Sequence, residues 1–299
     1  MGGLSAKRDI LKNELVSIII PCCNSGKTIS RTVESAKSQT WPNIEIIIIN
    51  DGSTDKKTLT LLKKLSNESE IKVYSQKNKG LPGARNAGFE LANGNFILPL
   101  DSDDWLHENA IELMMQTYTS KRRSHVVYSD IKIEGIEDCI KKTFCNPFEQ
   151  LFSNQLPYSM LFPKHIFKNI KPYDESFRFG LEDWDLNVRL LTKKIKFVKV
   201  SEPIFVYFKN SKGMFQSITS RKFIEIYSRI REKNSDTYKF SELLRIYDNS
   251  KKTRSKRRLN LYLLQNLIYL TVPLKLLNKF YFILIKVKAR KLKFYLDAN

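Results

Sequence analysis

Between Val16 and Leu100 short apolar runs alternate with segments of helical spacing. VSIII (16–20) closes at Pro21, and IEIIIIN (44–50), IKVYS (71–75) and NFILPL (95–100) are further runs of strand length. Between them, KTISRTVESAKSQ (27–39) puts Ile29, Val33 and Ala36 on one helical face. DKKTLTLLKKLS (55–66) reads as a helix, as does LPGARNAGFELAN (81–93), opened by Pro82 and closed near Gly94. A nearly continuous Ile/Val/Leu strand needs cover on both faces, which predicts a parallel sheet with crossover helices. The predicted class is α/β, a Rossmann-like sandwich of the nucleotide-binding kind.

Two of these strands run straight into polar clusters. IIII leads into Asn50, Asp51, Gly52, Ser53, Thr54 and Asp55, and FILPL into Asp101, Ser102, Asp103 and Asp104. In such sheets the carboxyl ends of the strands open onto the ligand crevice. A turn at Gly52 and a helix cap at Thr54 or Asp55 account for part of the first cluster but leave Asp51 open between a ligand and a structural role. In the second cluster one acid, Asp104, suits a cap for a helix beginning near Glu108. Asp-x-Asp at a strand tip otherwise offers hard oxygen ligands to Mg²⁺ or Mn²⁺, with a diphosphate completing the coordination. A third acidic group, Glu182, Asp183 and Asp185 in LEDWDLNVRLLTKK, fits the first turn of a helix, where the dipole favours carboxylates. It leaves Trp184, an aromatic face suited to a sugar ring or to the core, unexplained.

VSIIIPCCN, IIIINDGSTD, NKGLPGARNAG, ILPLDSDDW and GLEDWDL, in that order over residues 15 to about 210, resemble the GT-A glycosyltransferases of family 2. The resemblance implies inverting transfer of a sugar, most often from a UDP-sugar, to an acceptor hydroxyl. It lays Pro21, Cys22 and Asn24 against the nucleobase, with Ser53 beside them, and gives Asp51 a hydrogen bond to the uracil or ribose. It places Arg85 on the helix flanking the donor pocket and turns Asp101, with Ser102, toward the ribose or sugar. Asp103 becomes the ligand of a Mn²⁺ or Mg²⁺ cofactor, Asp183 the catalytic base, and Glu182 and Trp184 the acceptor contacts. Three departures stand out. Cys23 occupies a position where the family usually has a base-stacking aromatic. Lys209, Asn210 and Lys212 stand where the family often has a His or Arg near the diphosphate. The QxxRW motif of processive synthases is absent, which predicts one sugar per encounter.

Charge divides the chain. The net charge is +20, and from Arg231 onward seventeen Lys+Arg face five Asp+Glu. Thirteen bases and no acid lie between Asn249 and Leu296. The expected organisation is an N-terminal tail (1–14), a catalytic domain (15–230) and a basic, mainly helical extension (231–299). The uncharged run Leu259–Leu274 is short for a membrane span and holds Gln265, Asn266 and Pro273. It suits a segment lying on an anionic membrane or, equally, a helical cap; nucleic acid ranks below both. Four cysteines without His in metal-ligand spacing fit free thiols in a reducing compartment. The charged start MGGLSAKRDILKNE is unlike a secretory signal, so the expected location is cytoplasmic, peripheral on the inner face of the membrane. The expected partners are a nucleotide-sugar donor and a glycan or lipid-linked acceptor in cell-surface polysaccharide synthesis. A sugar-nucleotide nucleotidyltransferase is the alternative enzyme, though PCCNSGKT is a poor phosphate loop. A non-catalytic basic binding module would leave the strand-tip acids idle.

Overall fold

The computed structural model describes residues 13–119, 125–210 and 220–250. The chain begins with β1 (Val16–Cys22), α1 (Ile29–Lys37), β2 (Ile44–Asp51), α2 (Lys56–Leu65), β3 (Ile71–Gln76), α3 (Gly80–Leu91) and β4 (Phe96–Pro99). There follow β5 (Trp105–Leu106), α4 (Ala110–Thr119), β6 (His125–Tyr128), β7 (Ile131–Gly135), β8 (Cys139–Lys141) and β9 (Phe162–Pro163). The described chain closes with α5 (Glu182–Thr192), β10 (Lys196–Lys199), β11 (Phe205–Lys209), α6 (Ser220–Lys233) and α7 (Phe240–Ser250).

The main sheet runs β3-β2-β1-β4-β9, with the first four strands parallel and β9 antiparallel. Its isoleucine runs are explained by burial on both faces. Ile18, Ile20, Ile46 and Ile48 pack with Val33 and Ala36 of α1 on one side. Ile19, Ile47 and Ile49 pack with Ala84 and Phe89 of α3 on the other. Each such side chain contributes about 1.5–3 kcal/mol of burial, so interrupting the run on either face opens a core. Two smaller sheets, β5-β11-β7-β8 and β10-β6, complete the strand inventory of the described residues. The strand order places the switch point between β1 and β4, where open α/β sheets take their ligands.

The helix foreseen to open at Pro82 opens two residues earlier, at Gly80, because Asp51 accepts the Lys79 and Gly80 amides, each at 2.8 Å. Asp55 caps α2 as expected, accepting from the Thr58 amide at 2.8 Å. The four cysteines are free thiols.

The chain divides into two compact units: Met1–Cys145, Gln155–Arg178 and Glu182–Ser211 form one, Asn146–Asn154, Phe179–Leu181 and Lys212–Asn299 the other. The break therefore falls near residue 211 rather than 230, because α6 packs with the second unit. There, the Tyr227 and Tyr238 hydroxyls both donate to the Leu151 carbonyl, at 2.9 and 2.8 Å, and Phe148 meets Tyr247 edge-on. The acid-free basic stretch 251–296 lies outside the described residues. No helix among the described residues is long and apolar enough to cross a membrane.

At the amino end of the sheet, Glu45 latches three segments. Its carboxylate takes Ser17 Oγ and the Asn93 amide at 2.6 Å, Lys72 Nζ at 2.8 Å and the Gly94 amide at 3.2 Å. Burial pushes its pKa up, but the bonds from Lys72, Ser17 and Asn93 outweigh burial and bring it down to about 2. The folded value lies below the unfolded one, so this stabilisation is complete above about pH 4.5 and is lost as pH falls toward 2. Glu45→Gln is expected to cost about 2 kcal/mol near neutral pH and to flatten stability across that acid window, as read by urea titrations at several pH values.

Candidate active site

The acids at the strand tips meet around one buried cation. Arg85, in α3, is 1% exposed and donates to Asp101 Oδ1 at 2.7 Å and to Glu182 Oε1 at 2.5 Å. Its guanidinium also lies over the rings of Tyr158 and Tyr173, 4.7 and 5.2 Å from their centroids. Burial works against its charge while Asp101 and Glu182 favour it, and its pKa stays well above the usual arginine value. One guanidinium thus joins the turn after β4 to the start of α5, the helix that carries Asp183.

The turn after β4 is held from below. The Tyr158 hydroxyl accepts from the Asp101 amide at 2.9 Å and donates to Asp104 Oδ2 at 2.6 Å. Asp104 Oδ1 accepts the Phe208 amide of β11 at 2.7 Å. Asp104 is fully buried. It therefore anchors β11 rather than capping the helix at Ala110, the role foreseen for it. Burial, Asp103 and Asp101 hold its pKa well above the carboxylate range.

Asp103 differs from its neighbours. It is half-buried, and no basic side chain among the described residues pairs with it. Burial and the adjacent Asp101 push its carboxyl up to about 6. A cation placed beside it would relieve both effects, and Mg²⁺-type ions bound to nucleotides need only one or two protein carboxylates beside the phosphates. The donor set fits that mode. It does not fit an all-protein cage, since no group of three His, Cys, Asp or Glu among the described residues could hold a metal.

Across the switch point, Ser102 Oγ donates to Ser25 Oγ at 2.7 Å, tying the β4 tip to the β1 loop. Asn24 binds the β1 and β2 tips together: its Oδ1 accepts the Thr54 and Asp55 amides at 2.8 and 3.1 Å, and its own amide donates to Ser53 Oγ at 3.0 Å. Gly52 turns at φ +73°, and a Cβ there would lie 2.9 Å from the Asn78 amide nitrogen. Asn24, Ser53, Asp101, Ser102 and Asp103 therefore lie together at the strand tips on either side of the switch point.

Several expectations need revision. Cys22 is 1% exposed in the core and its thiol is pushed up to about 11 by burial; Pro21 is buried beside it. The side chains available to a base at this tip are those of Cys23 and Asn24. Asp51, also buried, accepts from Gln76 Nε2 at 2.7 Å in addition to the two α3 amides, so its oxygens order the loop before α3. Arg85 is too deep to reach a nucleotide and acts as the counter-ion of Asp101 and Glu182. Glu182 is buried on Arg85, and Trp184 is 1% exposed in the core, so neither presents a surface to an acceptor. Burial pushes the Glu182 carboxyl up, against the pull of Arg85. The other flanking acid of this turn, Asp185, pairs with Arg189 one turn along α5 at 2.8 Å. Asp183 is the half-buried member of that turn. Lys209 is paired with Glu137 at 2.6 Å; Lys212 lies outside the described residues. Tyr158, Ser25 and Asn78 were not foreseen. Of these only Asn78, inside NKGLPGARNAG, carried a signal in the sequence.

Comparison with known proteins gives the family and the fold. Residues 17–170 match the family model described as Glycosyl transferase family 2. The Escherichia coli UDP-Glc:alpha-D-GlcNAc-diphosphoundecaprenol beta-1,3-glucosyltransferase WfaP is 34% identical over 74% of this chain and 85% of its own. Glycosyltransferase GlyG of Streptococcus pneumoniae is 27% identical over 73% of this chain and 79% of its own. Among solved structures, S. aureus TarS 1–349 in complex with UDP-GlcNAc superposes with a TM-score of 0.57 at 19% identity, covering 73% of this chain and 65% of that one. GalNAc-T7 with UDP, GalNAc and Mn²⁺ gives 0.56 at 18% identity, covering 73% and 48%. The fold is that of the GT-A enzymes, and the chain belongs to glycosyltransferase family 2.

Proposed function

We propose that the protein transfers a single sugar, with inversion, from a UDP-sugar to a hydroxyl of a glycan or lipid-linked saccharide. The observation that carries this reading is the Arg85 bridge, which fixes the Asp101–Asp103 turn and the start of α5 on one frame. A carboxylate suited to a cation and a carboxylate suited to a proton are thereby held in register. Cys23, Asn24 and Ser53 wall the nucleobase, above the loop that Asp51 orders. Asp101 and Ser102 face the ribose or the sugar. Asp103 would hold Mn²⁺ or Mg²⁺, which when bound supplies neutralisation of the departing diphosphate's charge. Asp183 takes the proton of the acceptor hydroxyl as that oxygen attacks the anomeric carbon. The new C–O bond forms on the face opposite the breaking bond to the diphosphate, so the configuration inverts. Supporting the donor class, WfaP is named for UDP-Glc, and TarS and GalNAc-T7 were solved with UDP-GlcNAc and with UDP and Mn²⁺. WfaP is also named for a diphosphoundecaprenol-linked acceptor. An acceptor of that kind, used in cell-surface polysaccharide synthesis on the inner membrane face, gives the basic stretch after Asn249 a reason to meet anionic lipid.

Asp103→Asn is expected to abolish the Mn²⁺-dependent part of UDP binding while the fold persists; wild-type affinity with Mn²⁺ in calorimetry of that variant would refute the metal assignment. Asp183→Asn is expected to keep donor affinity and lose about a hundredfold or more in turnover. Equal losses in binding and rate would move this carboxylate into the donor pocket, and a product whose anomeric configuration is retained by NMR would defeat the single displacement. The full chain is expected to pellet with anionic liposomes at low salt and to be released at high salt, since each Lys or Arg near such a surface adds about 1 kcal/mol within a Debye length. Pelleting that ignores salt, or none at all, counts against the membrane role.

A further inference from the structure

The wall assigned to the nucleobase has polar edges but no ring. Cys23, Asn24, Ser53 and Asn78 offer sulfur, amides and a hydroxyl, whereas a nucleobase buries a broad π face. One planar side chain is attached to this wall. Asn78 Nδ2 donates to the Asp51 carbonyl at 2.9 Å and lies 3.5 Å from Cys23 Sγ. Arg178 Nη2 donates in turn to the Asn78 carbonyl at 3.1 Å and to its side-chain Oδ1 at 3.2 Å. The guanidinium is thus one side chain away from both Cys23 and Asp51. It reaches them across Gly80, where the backbone adopts φ +79° and an added Cβ would stand 3.2 Å from Arg178 Nε. Glycine at this position leaves room for the arginine side chain to pass close over the loop.

Arg178 is also uncommitted electrically. Arg31, Arg85, Arg189 and Arg245 each pair with a carboxylate. Arg178 is exposed, and its hydrogen-bond acceptors, both on Asn78, are neutral. Among the described residues, its Nε and Nη1 donors have no partner. A loop latch alone would need only a single donor, which a lysine ammonium provides as well. A guanidinium held by one nitrogen at the edge of a ringless pocket adds a rigid, weakly hydrated plane that stacks on π faces.

We infer that Arg178 supplies the stacking surface for the donor's nucleobase, in place of an aromatic side chain. The inference rests on the donor reading above. It separates Arg178 from the phosphate-binding role: the contact is to the base, so it should be felt by uridine as well as by UDP.

The test compares uridine and UDP binding, by NMR titration and calorimetry, in the full-length wild type, Arg178→Ala and Arg178→Lys. Stacking on one base face is worth about tenfold in affinity. Arg178→Ala is expected to weaken uridine and UDP by that same factor, and Arg178→Lys, which keeps the charge and loses the plane, to recover little of it. An unchanged affinity for uridine in Arg178→Ala overturns the inference, whether or not UDP binding falls. Full recovery by Arg178→Lys overturns it too, since charge or latching then suffices. If the wild type binds no UDP, the donor reading fails and takes this inference with it; if wild type and Arg178→Ala bind both ligands equally, only the inference fails.

Discussion

The arrangement depends on one charge that cannot be removed. Arg85 is sunk between Asp101 and Glu182, and its planar fork meets both carboxylates while two tyrosine rings cover its faces. Desolvating a guanidinium costs several kcal/mol, and only well-placed anions offset that cost. Loss of either partner leaves a buried charge uncompensated, an outcome that typically destabilises by about 3–5 kcal/mol. The β4 turn and the start of α5 are therefore locked to α3 and, through it, to each other. Asp103 and Asp183 sit two and one positions beyond the clamped groups: Ser102 separates Asp103 from Asp101, and Asp183 follows Glu182 directly. The clamp thus fixes the backbone that carries both groups.

Around this clamp the crevice is stitched by short-range polar bonds that occupy the remaining strand-tip groups. Asp104 binds Tyr158 and β11, Asp51 binds the loop before α3, Asn24 joins β1 to β2, and Ser102 meets Ser25 across the switch point. Such bonds add about 1 kcal/mol each as neutral pairs and more to charged groups. Their larger effect is preorganisation: the loops that would contact a ligand are set before it arrives. Asp103, half-buried and pushed up to about 6 by burial and Asp101, is the acid of this turn that no basic side chain among the described residues pairs with.

Much of this was legible in the chain. Strands covered on both faces must be apolar at consecutive positions, so the isoleucine runs announced a parallel sheet, and acids at the ends of such runs announced its ligand edge. Sequence order could not say which acid faces inward. Asp51, Asp104 and Glu182 look as available as Asp103 and Asp183 when read as letters, and their burial follows from partners far along the chain: Gln76, Tyr158 and Arg85. Arg85 drew notice for its motif but with the wrong partner, because a buried arginine and a ligand-binding arginine have the same local sequence. Trp184 illustrates the same limit, an aromatic beside a carboxylate that faces the core. Tyr158, in LPYSMLF, had no pattern to single it out, since its role exists only where β4, β11 and the segment before β9 converge.

The central claim is that these strand-tip carboxylates form a metal-assisted sugar-transfer site, and product analysis of purified full-length protein with a panel of UDP-sugars tests it most directly. The account predicts slow release of UDP and free sugar in the presence of Mn²⁺, suppressed by EDTA and accelerated by a suitable saccharide acceptor. Formation of UTP and a sugar 1-phosphate from the same donor plus pyrophosphate, with no release of UDP, would contradict it and assign the crevice to nucleotidyl transfer instead.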